Sequence, residues 1–280
     1  MHEAIPSRTA LRVALRRAAH QLYDSPRVFE DPFAVPILGE KYADELRRTP
    51  VRADRPFSTA LRAHVVARSR YAEDNLRRAF EAGVRQYVLL GAGLDTFAHR
   101  NPWRELRVFE VDHPATQEWK RELLANGGIA VPENLTYAAI DFEGQSLAER
   151  LSESGFNRSA PAFFAWLGVV PYLTAGAFRG TVGFIASKAE GSGVALDYGL
   201  PRSALPLREQ MGHDSLASRV RLAGEPFQLF FTPEEMAAEF SAFSKVEDIG
   251  SAEINARYFG GREDQLRVLG SAGRLLSAWI

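Results

Sequence analysis

The feature that most constrains this chain is a rhythm that begins after Gly83. Short apolar runs of strand length stop at a glycine or an aspartate, and helical stretches alternate with them. Gln86–Leu90 ends in Gly91-Ala92-Gly93, the run over 106–111 ends in Asp112, and the run over 135–140 ends in Asp141. A fourth run covers 162–167 ahead of a helix over 175–189, and a fifth covers 193–196 and ends in Asp197-Tyr198. Helices are expected over 114–125 and 146–154 between the earlier runs. This alternation is the pattern of a parallel sheet with helices on both faces. Lys245–Ile249 and 266–269 are the candidates for two last strands.

Ahead of this rhythm the chain is helical. Leu11, Ala14, Leu15, Ala18 and Leu22 recur at helical spacing, with Ser7 or Thr9 placed to cap. Asp31-Pro32 and Val35-Pro36 break the pattern. A long helix is expected over 58–81, with Leu61, Val65, Tyr71, Leu76 and Phe80 as its buried stripe and Gly83 at its stop. A helical stretch over 205–222 follows the fifth run. Thr232-Pro233-Glu234-Glu235 then opens another helix, with a capping threonine, an early proline and a glutamate at the third position.

Composition excludes several classes. The chain has 280 residues, 34 basic against 35 acidic, so it lacks the basic excess of a nucleic-acid binder. It has no cysteine, which removes disulfides, thiolate metal sites and cysteine nucleophiles. No His-x-x-x-His pair is present, and no metal is expected. No apolar run approaches the length of about 20 residues that spans a bilayer. The first residues lack a basic region followed by an apolar one, so a cytoplasmic location is expected.

In an open parallel sheet, ligands bind beyond the carboxyl ends of the strands, so the residues there carry the chemistry. Gly91-Ala92-Gly93-Leu94-Asp95-Thr96 permits a sharp turn and a close ligand approach, with the amides of a following helix facing the same ligand. The dinucleotide pattern Gly-x-Gly-x-x-Gly lacks its third glycine here, and the lysine of a phosphate loop is absent. Asp112 closes the second run, where a carboxylate can accept from both hydroxyls of a ribose; an aspartate there can also be a helix cap. Asp141-Phe142 offers an acceptor for an adenine amino group and a ring to pack on the base, again with capping as the alternative. Arg68, on the long helix, can fork onto a small carboxylate or stand solvated on the helix face.

Together these residues resemble the leucine carboxyl methyltransferase family of class I S-adenosylmethionine-dependent methyltransferases, in particular its bacterial branch. The resemblance runs over nearly the whole chain. It rests most heavily on Val88-Leu-Leu-Gly-Ala-Gly-Leu-Asp-Thr96 and on Phe109-Glu-Val-Asp-His-Pro114 followed by Lys120. Val28-Phe-Glu-Asp-Pro32, Ala67-Arg68-Ser-Arg70-Tyr71, Gly168-Val-Val-Pro-Tyr-Leu-Thr174 and Phe230-Phe-Thr-Pro233 add to it.

The resemblance implies a Rossmann-like, mostly parallel seven-stranded sheet. It implies an N-terminal helical cap over 1–84, a methyltransferase domain over 85–280 and a helical lid insert at about 201–231. S-adenosyl-L-methionine would be the cofactor and S-adenosyl-L-homocysteine the product. Arg68 would hold the methionine carboxylate, and Gly91, Ala92 and Gly93 the amino-acid portion. Asp112 beside His113 would hold the ribose, and Asp141 with Phe142 the adenine. Where eukaryotic-type members carry a glutamate before the fourth-strand glycine, this chain has Leu167. That departure argues against methylation of a protein C-terminus and shifts weight onto Asp95 or Asp197 near the sulfonium.

The expected activity is O-methylation of a carboxylate or hydroxyl on a small molecule, such as a bacterial secondary metabolite. No nucleic acid or membrane is expected as a partner. A nicotinamide-dependent oxidoreductase or a non-catalytic cofactor-binding protein would use the same sheet. Tyr172, Tyr198, His20 and His213 are the candidates for the acceptor pocket, with packing or surface positions as the alternatives. Of the 34 basic residues only four are lysine, a skew that codon bias explains. Codon bias does not explain their distribution. Through Tyr87 basic residues exceed acidic ones by five, and in the remainder acidic residues exceed basic ones by six. An anionic acceptor is one expectation from that division.

Overall fold

A computed structural model of the chain describes residues 7–49, 56–140, 145–222 and 224–280. Seven strands form one sheet in the order β3-β2-β1-β4-β5-β7-β6. They are β1 Gln86–Leu90, β2 Arg107–Asp112, β3 Leu135–Ala139, β4 Phe163–Trp166, β5 Gly193–Gly199, β6 Lys245–Ile249 and β7 Gly273–Trp279. The first five pair in parallel, and β7 runs antiparallel to both β5 and β6. The expected Rossmann-like sheet is therefore present.

One expected strand is not. Residues 266–269 lie outside the sheet, and the last strand is Gly273–Trp279. Leu266 and Val268 are buried, so their apolar character served packing; the amide of Val268 donates to the Asn255 side chain at 2.9 Å. The true strand carries Gly273, Arg274 and Ser277 and does not read as an apolar run.

Side-chain alternation splits the core across the sheet. On one face Tyr87, Leu89, Val108, Phe163, Ala165 and Leu275 meet Ala63, Val66, Ala67 and Tyr71 of a long helix. On the other, Val88, Leu90, Phe109, Phe164, Val194 and Leu276 meet Phe178, Val182 and Ile185 of a second helix. Strands buried on both faces read as continuous apolar runs, which is why β1, β2, β4 and β5 were conspicuous.

Ten α-helices lie among the described residues. They are α1 Arg8–Tyr23, α2 Gly39–Arg48, α3 Pro56–Glu81, α4 Phe97–Arg100 and α5 Pro114–Asn126, then α6 Leu147–Glu153, α7 Ala175–Ala186, α8 Leu207–Leu222, α9 Pro233–Glu239 and α10 Ser251–Tyr258. Their starts follow local chemistry. Ser7, not Thr9, caps α1 by accepting from the amide of Ala10 at 3.1 Å. Thr232 and Glu235 form the reciprocal capping box of α9. α3 packs into the core that holds β1 and β2, so residues on both sides of residue 84 share one hydrophobic cluster. A smaller cluster joins Ala14 and Ala18 of α1 to Ile37, Leu38, Leu94 and Leu124. α1 is thereby fixed beside the loop that follows β1.

Candidate active site

The strand order places the site. From β1 the chain steps outward through β2 and β3, then crosses to β4 on the other side of β1. The loops after β1 and β4 diverge and leave a crevice beyond their carboxyl ends. A cavity of about 410 Å³ opens there. Gly91, Ala92, Gly93 and Asp95 line it from the β1 loop, Asp112 and His113 from the end of β2, and Leu167, Gly168, Val169 and Tyr172 from β4 onward. Arg68 reaches it from α3, and Thr9, Val13 and Arg17 from α1. Gly224, Glu225, Pro226 and Gln228 complete the wall.

Two glycines are required by close approach. Gly91 has φ +68°, and a Cβ there would stand 2.4 Å from Cγ2 of Val169. Gly168 has φ +72°, and a Cβ there would stand 2.6 Å from Nη2 of Arg68. Both are left-handed conformations that side chains disfavour. They let the β1 and β4 loops close against each other and onto the guanidinium.

Arg68 is buried and donates from Nη1 to Oδ2 of Asp197 at 2.8 Å. Asp197 also accepts from the backbone amide of Gly168, and Nε2 of His64 lies 3.6 Å from its Oδ2. Burial alone would raise the Asp197 pKa. Arg68, then His64, then the Gly168 amide outweigh that and hold it well below the usual aspartate range. Asp197 is therefore a buried anion that anchors Arg68 and the β4 turn and is no part of the cavity lining.

Asp112 accepts from the Gly93 amide through Oδ2 at 2.5 Å and from the His113 amide through Oδ1 at 2.7 Å. Burial raises its pKa above the ordinary value, against the pull of those two N–H groups. A carboxylate offers about four lone-pair sites, so acceptor capacity remains for a ligand hydroxyl. Behind it Glu110 is fully buried and paired with Lys120 at 2.6 Å, which fixes α5 to β2. His113 caps α5 by accepting from the Ala115 amide at 3.3 Å.

Asp95 belongs to a buried network that sequence reading did not anticipate. Arg17 bonds Asp95 Oδ2 at 3.0 Å and Thr96 Oγ1 at 2.8 Å, and it pairs with Asp31. Thr96 donates to Asp31 Oδ1 at 2.7 Å. Asp95 also accepts from the Phe97 amide at 2.7 Å, at the start of the short α4. The network ties α1 and the Asp31-Pro32 turn to the β1 loop. Its one sequence signal was an arginine within the apolar stripe of α1.

The sequence offered Thr9 only as a helix cap and gave Glu225 no role at the site. The Thr9 amide donates to Glu225 Oε2 at 3.2 Å, its hydroxyl bonds the same oxygen, and it also meets the Tyr172 hydroxyl. These contacts join α1, the β4 loop and the 224–228 segment over the cavity.

The expected residues fall into three groups. Arg68, Gly91, Ala92, Gly93, Asp95, Asp112, His113, Leu167 and Tyr172 line one cavity. Asp141 and Phe142 lie outside the described residues. His20, Tyr198 and His213 do not line the cavity. His20 is fully buried, with Nδ1 2.7 Å from Asp24 Oδ2 and Nε2 accepting from the amides of Val28 and Phe29 at 3.0 and 3.3 Å. It organises the turn after α1. Tyr198 is buried and donates to Asp248 at 2.6 Å. Its alternation on β5 turns it from the cavity. His213 packs on Phe230 at 5.2 Å between ring centroids, and neither ring nitrogen has a hydrogen-bond partner among the described residues. A run of aromatic contacts links it to the cavity: Phe230 to Phe227 at 5.8 Å, and Phe227 to Tyr172 at 5.3 Å. Among the described residues no cluster could hold a metal ion, and no helix is long and apolar enough to cross a membrane.

Comparison with known proteins agrees with this geometry. The sequence model of the leucine carboxyl methyltransferase family matches residues 10–186. A Bacillus subtilis protein named as an S-adenosyl-L-methionine-dependent methyltransferase, YktD, is 29% identical over 93% of each chain. A Saccharopolyspora erythraea protein of the same designation is 31% identical, covering 96% of this chain and 94% of its own. Among solved structures, one from Thermobifida fusca titled as a methyltransferase superposes with a TM-score of 0.62 at 20% identity, over 99% of this chain and 96% of that one. A DUF574 protein from Streptomyces avermitilis superposes at 0.54 with 19% identity, over 94% and 96%. These two share the fold. The oxidoreductase alternative, already disfavoured by the missing third glycine, is set aside because the matching family model and the relatives are those of methyltransferases. The chain belongs to the leucine carboxyl methyltransferase family and is an S-adenosyl-L-methionine-dependent methyltransferase.

Proposed function

We propose that this enzyme transfers the methyl group to an oxygen of a small molecule, a carboxylate in preference to a hydroxyl. The observation that carries this reading is the absence of an available base among the described cavity residues. His113 is the one histidine that lines the cavity, and its Nδ1 caps α5. Asp95 is paired with Arg17, Asp112 accepts two amides, and Glu225 is held by Thr9. Burial raises the Tyr172 hydroxyl above its ordinary pKa, so it is a neutral group at pH 7. A carboxylate acceptor arrives ionised and needs no base, whereas an alcohol or phenol does.

When bound, S-adenosyl-L-methionine supplies a methyl group on a positively charged sulfur. The residues present fit it. Arg68 would hold the methionine carboxylate, Gly91 and Gly93 would contact the amino-acid portion, and Asp112 would accept from the ribose hydroxyls, with Asp141 and Phe142 assigned to the adenine on sequence grounds. Glu225 brings a carboxylate to a cavity in which Leu167 offers none. The rest of the task is alignment of an in-line displacement and exclusion of water. α1 and the 201–231 segment serve as cap and lid for that purpose.

The test is incubation of the purified protein with labelled S-adenosyl-L-methionine and a panel of aromatic and aliphatic carboxylates, phenols and alcohols. Label on a carboxylate, with a rate that is flat above about pH 5, is the expected result. Label confined to phenols, with a rate that climbs with pH, would overturn the carboxylate preference. S-adenosyl-L-homocysteine binding with label on none of these compounds would overturn the proposed acceptor classes.

A further inference from the structure

The charge division in the sequence has a local counterpart beside the cavity. The most buried arginines are paired with carboxylates: Arg17 with Asp31 and Asp95, Arg62 with Asp24, Arg68 with Asp197. Arg12 and Arg16 differ. They stand one helical turn apart on α1, both partly buried, and Nη1 of Arg16 donates to the carbonyl of Arg12 at 2.9 Å. Neither forms an ion pair among the described residues. At 100° per residue Arg16 and Arg12 follow one another on one side of the stripe of Thr9 and Val13 that lines the cavity.

What surrounds Arg16 is also cationic. Burial, then repulsion from Arg68, Arg12 and Arg219 of α8, lowers its pKa to about 10. Arg219 is engaged by the carbonyl of Ser215 at 3.2 Å. Glu225, the carboxylate of this wall, is taken by Thr9 and not by a guanidinium. Arg12 and Arg16 thus bring two guanidinium groups, without a carboxylate partner among the described residues, to the face of α1 beside the cavity, where an incoming anion would relieve their mutual repulsion. Guanidinium forks suit carboxylates and phosphates.

We propose that the acceptor carries an anionic group, a carboxylate or a phosphate, which Arg12 and Arg16 receive at the flank of the cavity, with Arg219 adding its field from the lid. The proposal rests on the reading of the cavity as the methyl-transfer site. Arg12 and Arg16 act as positioning residues: they orient the acceptor and touch neither the sulfur nor the reacting methyl.

The experiment is a calorimetric titration of full-length protein saturated with S-adenosyl-L-homocysteine, using benzoate and inorganic phosphate as separate probes. The wild type is expected to bind at least one of them. Arg16→Gln and Arg12→Gln should each weaken that probe about tenfold or more, the scale of a lost charged hydrogen bond, and Arg16→Lys should restore part of the loss. S-adenosyl-L-homocysteine affinity should stay within about twofold of wild type. Tighter benzoate binding assigns a carboxylate acceptor, and tighter phosphate binding assigns a phosphorylated one. Binding of neither probe, or probe affinity unchanged in both glutamine variants, overturns the proposal. Failure of the wild type to bind S-adenosyl-L-homocysteine would instead strike the reading of the cavity itself, so the two failures are told apart in one set of samples.

Discussion

Arg68 and Asp197, 129 positions apart in the chain, meet at 2.8 Å beneath the turn at Gly168. The pair joins α3 to the end of β5 and sets the guanidinium at the cavity wall. Removing one partner of a buried pair leaves an uncompensated charge, so Asp197→Asn should destabilise the protein by about 3–5 kcal/mol at pH 7. The pH dependence has a definite sign. The folded-state pKa of Asp197 lies below the unfolded value, so its contribution is complete above about pH 4 and declines as pH falls toward the folded value. Urea denaturation at pH 7 and near pH 3 should show the gap between wild type and variant narrowing in acid. An equal gap at both would mean that the pair contributes packing and not charge.

The approach of Gly91 to Val169 gives a second prediction. Gly91→Ala places a methyl 2.4 Å from Cγ2 of Val169 in a backbone conformation with φ +68°. The left-handed conformation alone costs about 1–2 kcal/mol, and the overlap adds to it. Gly91→Ala should therefore lower the Tm and weaken S-adenosyl-L-homocysteine. Adding Val169→Ala should recover the part due to overlap and leave the part due to φ. Full recovery would show that the conformation at residue 91 is unstrained.

The sheet was legible because β1, β2, β4 and β5 are buried on both faces and the first five apolar runs stop at glycine or aspartate. β7 was not, since its Gly273, Arg274 and Ser277 break the apolar run; its pairing with β5 and β6 is a long-range fact. In the site, Gly91, Gly93, Asp112 and Arg68 could be read because ligand-facing residues of a parallel sheet sit at strand ends. Arg17 and Glu225 could not, because their roles depend on how α1 and the 224–228 segment fold back over those ends. His20 and Tyr198 were drawn in by their chemistry alone. Their partners, Asp24 and Asp248, show that both serve packing through satisfied hydrogen bonds.

Asp112 is the residue on which the ribose assignment depends. Asp112→Ala should abolish S-adenosyl-L-methionine binding detectable by calorimetry, through loss of the acceptor and release of the Gly93 amide it holds. Because burial raises its pKa, cofactor affinity in the wild type should begin to weaken on acidification above the ordinary aspartate value of about 3.9. Near-wild-type affinity in the alanine variant would remove Asp112 from the cofactor site.

The Thr9 contact with Glu225 bears on how the cavity opens. Thr9→Ala keeps the backbone N–H at 3.2 Å from Glu225 but removes the hydroxyl that joins Glu225 to Tyr172. The segment is also held by the amide of Gln228, which donates to the Pro171 carbonyl at 2.7 Å, so the loss should loosen and not release it. A net loss of about 1 kcal/mol corresponds to a roughly fivefold rise in the open population. Hydrogen exchange measured by mass spectrometry should therefore quicken by that factor in peptides covering 207–228 and stay unchanged in β1 and β4. If acceptor entry is limited by this opening, the same substitution raises the acceptor KM more than it changes kcat. Unaltered exchange over 207–228 would show that Pro171 and Gln228, and not Thr9 and Glu225, hold the segment over the cavity.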